Sequence, residues 1–128
     1  MSQTPAFTLP VNTLGVATIS AANTNRDGTG TIVTVYTAGP AGSRIAMIEI
    51  VATGTTTTGV VRLFLSNGTT TWLWAEHLVT AVSPTASGAV WSKQIVPVVP
   101  AVLPSGWSVR ASTHNAETFV VIVHGGNF

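Results

Sequence analysis

The sequence contains no cysteine and very little charge. Of its 128 residues, 5 are Lys or Arg and 4 are Asp or Glu, so charged side chains make up 7% of the chain, against roughly 25% in ordinary soluble domains. The absence of cysteine excludes disulfide bonds, thiolate metal sites and thiol nucleophiles. Because nucleic-acid binding needs clustered cations to neutralise phosphates, we expect no nucleic-acid partner. The cations are scattered, at Arg26, Arg44, Arg62, Lys93 and Arg110.

Long hydrophobic runs are also missing. The longest apolar run extends only from Ile95 to Leu103 and contains Pro97 and Pro100, whereas a membrane-spanning helix needs about 20 residues. The beginning of the chain holds neither the Lys and Arg residues nor the compact apolar stretch of a secretory signal peptide. We therefore expect no membrane partner.

What the chain has in abundance is β-branched side chains, because Thr, Val and Ile make up more than a third of it. Such residues suit pleated sheet, and a mean hydropathy of +0.46 excludes a disordered chain. The length fits a single domain, residues 1–128, with a core of its own. Within it, Met1 to Pro10 is predicted to be an extended arm, since Pro5 and Pro10 discourage a helix.

Short strands separated by turn residues are predicted along the whole chain, with no substantial helix. Proline cannot donate to a sheet ladder, so Pro97 to Pro104 is predicted to be an edge strand or an extended crossing. About eight strands at this spacing predict an all-β fold, an antiparallel β-sandwich of the jelly-roll type. The predicted strands are Val16 to Ser20, Thr31 to Thr37, Arg44 to Thr53, Val60 to Leu65, Trp72 to Val79, Ala89 to Val96, Gly106 to Thr113 and Thr118 to His124.

The strongest hairpin signal is the dipeptide Asn67-Gly68, which lies between two apolar runs. One register of this hairpin places Arg62 opposite Glu76. A shift of one residue would place these two side chains on opposite faces of the sheet. The sequence leaves both registers open.

Groups that could carry catalysis are few and dispersed. Each acidic residue is interpreted as a solvated side chain or an ion-pair partner, and they are Asp27, Glu49, Glu76 and Glu117. None of the histidines has the spacing of metal ligands, and they are His77, His114 and His124. His114 and Glu117 share a predicted hairpin loop, where a turn-stabilising role is favoured over a metal or general-base role. No nucleophile elbow or phosphate-binding glycine loop is present. We therefore predict no enzyme activity, and no catalytic, cofactor-binding or metal-binding residues.

The four tryptophans have two interpretations. Trp72 and Trp74 are two residues apart, so on a regular strand they face the same side. An exposed pair of this kind is a candidate platform for stacking on sugar rings. Alternatively, these two rings, with Trp91 and Trp107, fill the core or a subunit interface, where Trp is enriched. We favour the core or interface.

The C-terminal third carries a distinctive run of strands and turns, Val102 to Glu117, with the sequence VLPSGWSVRASTHNAE. The ending from Phe119 to Phe128 continues it, and Gly42 to Ile45 and Val61 to Phe64 belong to the same pattern. From about Gly30 onward the chain resembles small virion proteins of tailed bacteriophages and prophages. The resemblance implies a structural role in the particle. Proteins of this size and class are often capsid decoration or cement proteins, β-rich and frequently trimeric, and others belong to tails or head fibres.

The function expected from this resemblance is that of a non-enzymatic decoration or cement protein, which binds the outer shell of the capsid and stabilises it. The expected partners are the major capsid protein and copies of the chain itself, as a homotrimer. The expected location is the capsid surface of a virion whose proteins are made in the bacterial cytoplasm. The alternatives are a phage tail or head-fibre component, and a carbohydrate-binding module that uses Trp72 and Trp74.

Contacts between subunits are expected from the extended, proline-containing segments Met1 to Pro10 and Pro97 to Pro104. Extended arms can lie across a neighbouring subunit, and edge strands can pair with one. The candidate contact residues are Pro5, Phe7, Pro10, Pro97, Pro100 and Phe128.

Overall fold

The computed structural model of the chain describes residues 13–97 and 101–128. These residues form nine β-strands in two antiparallel sheets that pack as a sandwich, which confirms the predicted fold class. In the described part of the chain, no helix is long and apolar enough to cross a membrane. The strands are β1 (Thr13–Ile19), β2 (Val33–Thr37), β3 (Ser43–Ala52), β4 (Gly59–Ser66), β5 (Thr71–Val79), β6 (Ser92–Ile95), β7 (Ala101–Leu103), β8 (Ser108–Thr113) and β9 (Phe119–Asn127).

Each sheet interleaves strands that are far apart in the sequence. The first sheet has the order β1-β9-β3-β6, with β7 also paired to β3, and the second has the order β2-β8-β4-β5. Since β6 pairs with Ile48–Val51 and β7 with Ser43–Ile45, both lie along one edge of β3 and share one strand position. The eight positions that result have the connectivity of a jelly roll. Between successive positions the chain crosses from one sheet to the other, except at the β4–β5 hairpin.

The boundaries of the strands differ from the predicted ones mainly around β6. The strand predicted from Ala89 to Val96 is limited to Ser92–Ile95. Trp91, just before it, is buried in the core, and its carbonyl oxygen accepts a hydrogen bond from Ala52 N at 2.9 Å. The proline-containing segment contributes the short strand β7 at the edge of the first sheet, which is one of the two alternatives predicted for Pro97 to Pro104.

The Asn67-Gly68 turn joins β4 and β5 as predicted. Gly68 has a φ of 94°, a left-handed conformation that glycine adopts without strain. The Asn67 side-chain oxygen accepts hydrogen bonds from the backbone nitrogens of Thr69 and Thr70, at 2.9 and 2.7 Å. The register places Arg62 opposite Glu76, the first of the two registers that the sequence left open.

The main core lies between the two sheets. It holds an edge-to-face aromatic pair, Trp91 and Phe119, with ring centroids 5.8 Å apart at 88°. Along β3, β4, β8 and β9, alternate apolar side chains point inward and are almost completely buried. They include Ile48, Ile50, Val61, Leu63, Val109, Ala111, Val121 and Val123.

Gly15 marks the point where β1 passes closest to β2. A Cβ atom at Gly15 would collide with the carbonyl oxygen of Val35 and would lie 3.0 Å from the Tyr36 side chain. Because the first obstacle is backbone, Gly15→Ala is expected to lower the free energy of unfolding by about 2 kcal/mol. The matched control is Gly54→Ala, since a Cβ there has nothing within 4 Å. Urea denaturation of both variants checks this, and equal midpoints would contradict it.

Candidate functional site

A buried ion network lies on the outer face of the second sheet. Leu63 faces the core, so its neighbours Arg62 and Phe64 face outward, yet both have 0% exposure. The connection between β1 and β2 covers this face. Within it, Asn23 donates from its backbone nitrogen to β8 at 2.8 Å, and from its side-chain amide to two carbonyl groups of the same connection at 3.0 Å each. The connection and the outer face of the second sheet thus enclose a small buried region that is separate from the main core.

Each of the three guanidinium nitrogens of Arg62 has a hydrogen-bond partner in this buried region. Its Nε donates to Glu76 Oε2 at 2.9 Å and its Nη1 to the carbonyl oxygen of Asn23 at 3.0 Å. Its Nη2 lies 3.2 Å from Nδ1 of His114. Because a guanidinium can only donate, Nδ1 of His114 is the acceptor, and the ring proton of the neutral imidazole lies on Nε2. A buried cation is stable only with such partners.

Glu76 accepts hydrogen bonds from two guanidinium groups. Besides Arg62, Arg26 donates from its Nε to both carboxylate oxygens of Glu76, at 3.0 and 2.9 Å. The hydrogen bond from Arg26, supported by that from Arg62, holds the pKa of Glu76 below its ordinary value despite partial desolvation. The Glu76 side chain is 28% exposed and that of Arg26 is 62% exposed. Two guanidinium groups with one carboxylate leave this network with a net positive charge.

A shallow pocket of about 200 Å³ opens beside this network. Cationic and polar groups form one side of it, and the exposed Leu78 with Val60 forms an apolar side. Its lining residues are Arg26, Thr58, Gly59, Val60, Arg62, Leu78 and His114.

The outer face of the first sheet is a second candidate surface, on which exposed apolar side chains lie among a few charged or titratable ones. Leu14 and Val16 on β1 are 58% and 55% exposed, and Val102 on β7 is 60% exposed. The β9 residue paired with Val16 is Ile122, and the outward residues of the same face also include Arg44, Glu49 and His124. We call this surface, formed by the outward side chains of β1, β9, β3 and β7, the apolar face.

The tryptophans are separated by the structure. A β-bulge makes Trp74 the extra residue of β5, since Leu63 pairs with Ala75 and the next β4 residue pairs with Leu73. The bulge interrupts the regular alternation on which a shared platform of Trp72 and Trp74 depended. Trp74 packs against the core. Trp72 stacks instead on Trp107, with centroids 5.4 Å apart at 18°, and stays 44% exposed.

A third feature is a small apolar pocket of about 150 Å³ between the open edges of the two sheets. His77 is its titratable group, and Nε2 of this ring has no hydrogen-bond partner among the described residues. Burial lowers the pKa of His77, and the charge of Lys93 lowers it further. The lining residues are Ile48, Leu63, Trp74, Ala75, His77, Ile95 and Pro97.

The lowered pKa of His77 predicts that acid destabilises the fold. As the pH falls through the ordinary value of 6.5, the unfolded chain takes up a proton that the folded chain does not. The contribution is therefore present at pH 8 and is lost on the acidic side. His77→Gln should flatten the fall in thermal midpoint between pH 8 and 5.5 relative to the parent chain. Parallel curves for the two proteins would contradict this assignment.

Asp27, Glu117 and His114 have local structural partners. Asp27 accepts two hydrogen bonds from Thr29, which lower the pKa of Asp27. Glu117 accepts from the backbone nitrogen of Thr57 at 2.8 Å, so it and His114 stabilise different contacts around their shared loop. No group of three potential metal-ligating side chains occurs in residues 13–97 and 101–128.

The candidate contact residues fall in different places. Pro97 lines the pocket between the sheets. Phe128 is 45% exposed, and its backbone nitrogen donates a hydrogen bond to the carbonyl oxygen of Gly42, the residue before β3. The predicted arm Met1 to Pro10 lies outside the described residues. The same is true of Pro5, Phe7, Pro10 and Pro100.

Comparisons with known proteins give a likeness in shape at low identity. No family model and no curated protein matches the chain. Two crystal structures that it resembles are of a pentameric capsid protein isolated from metagenomic phage sequences, one of them solved by iodide phasing. Both are 18% identical to this chain, with TM-scores of 0.42 and 0.43. The alignments cover 88% of this chain but only 61% and 62% of those proteins, so the chain spans about three-fifths of their length.

Proposed function

We propose that this chain is a non-enzymatic structural subunit of a bacteriophage particle, a decoration or cement protein that binds the outer shell of the capsid. Its partners are the major capsid protein and further copies of itself, assembled as a homotrimer. The observation that carries the proposal is the apolar face on a protein with almost no charge. Leu14 and Val16 are each more than half exposed there, and large apolar side chains exposed together on one face of a folded protein mark association surfaces.

The edges of the sheets support the same role. In the described residues, β1 ends one side of the first sheet, and β5 and β2 end the second. Edge strands carry backbone groups that a neighbouring chain can pair with. Charged side chains on edge strands usually prevent such pairing, and this chain has few charged side chains. Association with other chains therefore covers the apolar face and the sheet edges, which are exposed in the isolated chain.

The proposal is tested first by the mass of the purified chain in solution, measured by light scattering after size-exclusion chromatography at micromolar concentration. We expect a discrete closed oligomer. Val16→Lys places a charge on the apolar face and should shift the mass to that of a monomer. Thr69→Lys adds the same charge in the exposed β4–β5 turn and serves as the control. A monomeric parent chain, or an oligomer indifferent to Val16→Lys, would contradict this use of the apolar face.

Binding to shells tests the rest of the proposal. Capsids lacking decoration protein should retain the chain through sedimentation and should withstand heating better with it than without it. A variant lacking residues 1–10 should bind more weakly if the N-terminal segment contacts a neighbour, as should Phe128→Ala. An elongated assembly without affinity for shells would favour a tail or head-fibre component instead.

A carbohydrate-binding role has one specific observation in its favour, the exposed ring of Trp72. Aromatic rings at binding surfaces supply large contact area, and Trp72 is held in place by its stack on Trp107. Quenching of tryptophan fluorescence by oligosaccharides, lost in Trp72→Ala, would support this role. No response across a broad panel of glycans would exclude it.

A further inference from the structure

We propose that the pocket beside Arg62 binds a carboxylate carried on a short apolar stem, the chemistry of an acidic side chain presented by another protein. The proposal rests on the charge, the hydrogen-bond donors and the shape of this pocket. It does not depend on the role in a phage particle.

The charge of the pocket favours an anion. Arg26 and Arg62 share the single carboxylate of Glu76, and Arg62 is completely buried. Attraction between charges is stronger near a buried group than in bulk water, because the protein screens it less. A second carboxylate would make the network neutral.

The pocket also has hydrogen-bond donors that can bind a carboxylate. Arg26 uses only its Nε for Glu76, and no hydrogen bond to a described residue involves its two terminal nitrogens. His114 accepts from Arg62 through Nδ1, which leaves an Nε2 proton to donate. Both residues line the pocket. A carboxylate has two oxygens that accept such bonds, and charge-assisted bonds of this type are the strong ones.

The apolar lining of the pocket favours a ligand whose carboxylate is attached to methylene groups. Leu78 is 60% exposed and pairs with Val60 across β4 and β5, and both line the pocket together with Arg62. Burying methylene groups of a ligand against these side chains strengthens binding. Three acidic residues of this chain accept hydrogen bonds locally, namely Asp27, Glu76 and Glu117. The fourth, Glu49, lies on β3 in the other sheet, where it accepts from Gln94 at 3.5 Å. The carboxylate therefore comes from another molecule.

Titration with small anions followed by NMR tests the site. Butanoate should shift the backbone amide signals of Gly59, Val60 and His114 beyond the shifts caused by sodium chloride at equal ionic strength. Arg26→Gln removes the charge and the exposed donors, and it should raise the dissociation constant for butanoate at least about tenfold. Lys93→Gln removes the same charge from an exposed position on β6, and it should change the constant by less than about twofold.

Two further comparisons separate the possible ligands. Butanoate should bind more tightly than acetate, and Leu78→Ser should remove that preference. Inorganic phosphate should bind more weakly than butanoate. Tighter binding of phosphate would identify a site for free oxyanions and overturn the proposal of a stem. Shifts equal to those in sodium chloride, or equal affinity in Arg26→Gln, would overturn the site itself.

Discussion

Replacing Arg62 with methionine is expected to lower the free energy of unfolding by about 3 kcal/mol. Methionine keeps much of the volume of the side chain but removes its hydrogen bonds. The carbonyl oxygen of Asn23 and Nδ1 of His114 then lose their donor in a buried place, and each unpaired group costs about 1–3 kcal/mol. Glu76 keeps its bond to Arg26 and its contact with water, so no buried carboxylate is left without a partner.

Urea denaturation measures this loss, and Arg26→Gln is its control. Arg26 binds the same carboxylate, but its side chain is 62% exposed, and exposed ion pairs contribute less than about 1 kcal/mol. We expect the loss in Arg62→Met to be accompanied by faster amide hydrogen exchange in the connection between β1 and β2. An unchanged midpoint in Arg62→Met would mean that packing around Phe64, and not the hydrogen bonds of Arg62, holds that connection on the sheet.

Phe119→Ala is expected to have a still larger effect, a loss of about 4 kcal/mol. Phe119 is 1% exposed at the start of β9, where it pairs across the sheet with Ile19 on one side and Ala52 on the other. Its ring also packs edge-to-face on Trp91, a contact worth about 0.5–1.5 kcal/mol beyond burial. Truncation therefore removes apolar burial, an aromatic contact and the support of the Trp91 ring together.

Leu14→Ala is the control for Phe119→Ala in the same sheet. Leu14 is large and apolar but 58% exposed on the apolar face, so its truncation should change the stability of the isolated chain by no more than about 0.5 kcal/mol. Measurements at a concentration where the chain is monomeric keep association out of the comparison. Similar losses in both variants would show that the apolar face is buried in the folded monomer.

Local features of the sequence predicted local features of the fold. The Asn67-Gly68 dipeptide predicted the β4–β5 hairpin, because Gly68 adopts a left-handed conformation without strain and the side chain of Asn67 accepts hydrogen bonds from the turn backbone. The β-branched composition and the spacing of turn residues predicted the sandwich. The order of the strands was not predictable, because pairings such as that of Thr13 with Gly125 join segments whose sequences contain no mark of each other.

The candidate site was only half predictable for the same reason. Arg62 and Glu76 were recognisable as partners in one register of the hairpin, a local relation. Arg26 lies 50 residues from Glu76 in a connection whose sequence reads as an ordinary turn. The burial of Arg62 and Phe64 was not predictable from their own strand, because the segment that covers them lies elsewhere in the sequence. The bulge at Trp74 likewise follows from pairing with β4.

The pairing of β1 with β9 has a consequence for how the chain reaches its native state. The first described strand acquires its neighbour in the sheet only when the last strand is available, as Ile19 pairs with Phe119. During synthesis, β1 must therefore wait with its apolar side chains exposed while nearly the whole domain is made. Contacts this distant in sequence make folding slow, and unpaired strands of slow folders are prone to aggregate. Ile19, which is 2% exposed in the finished sandwich, therefore needs protection during translation until β9 has been made.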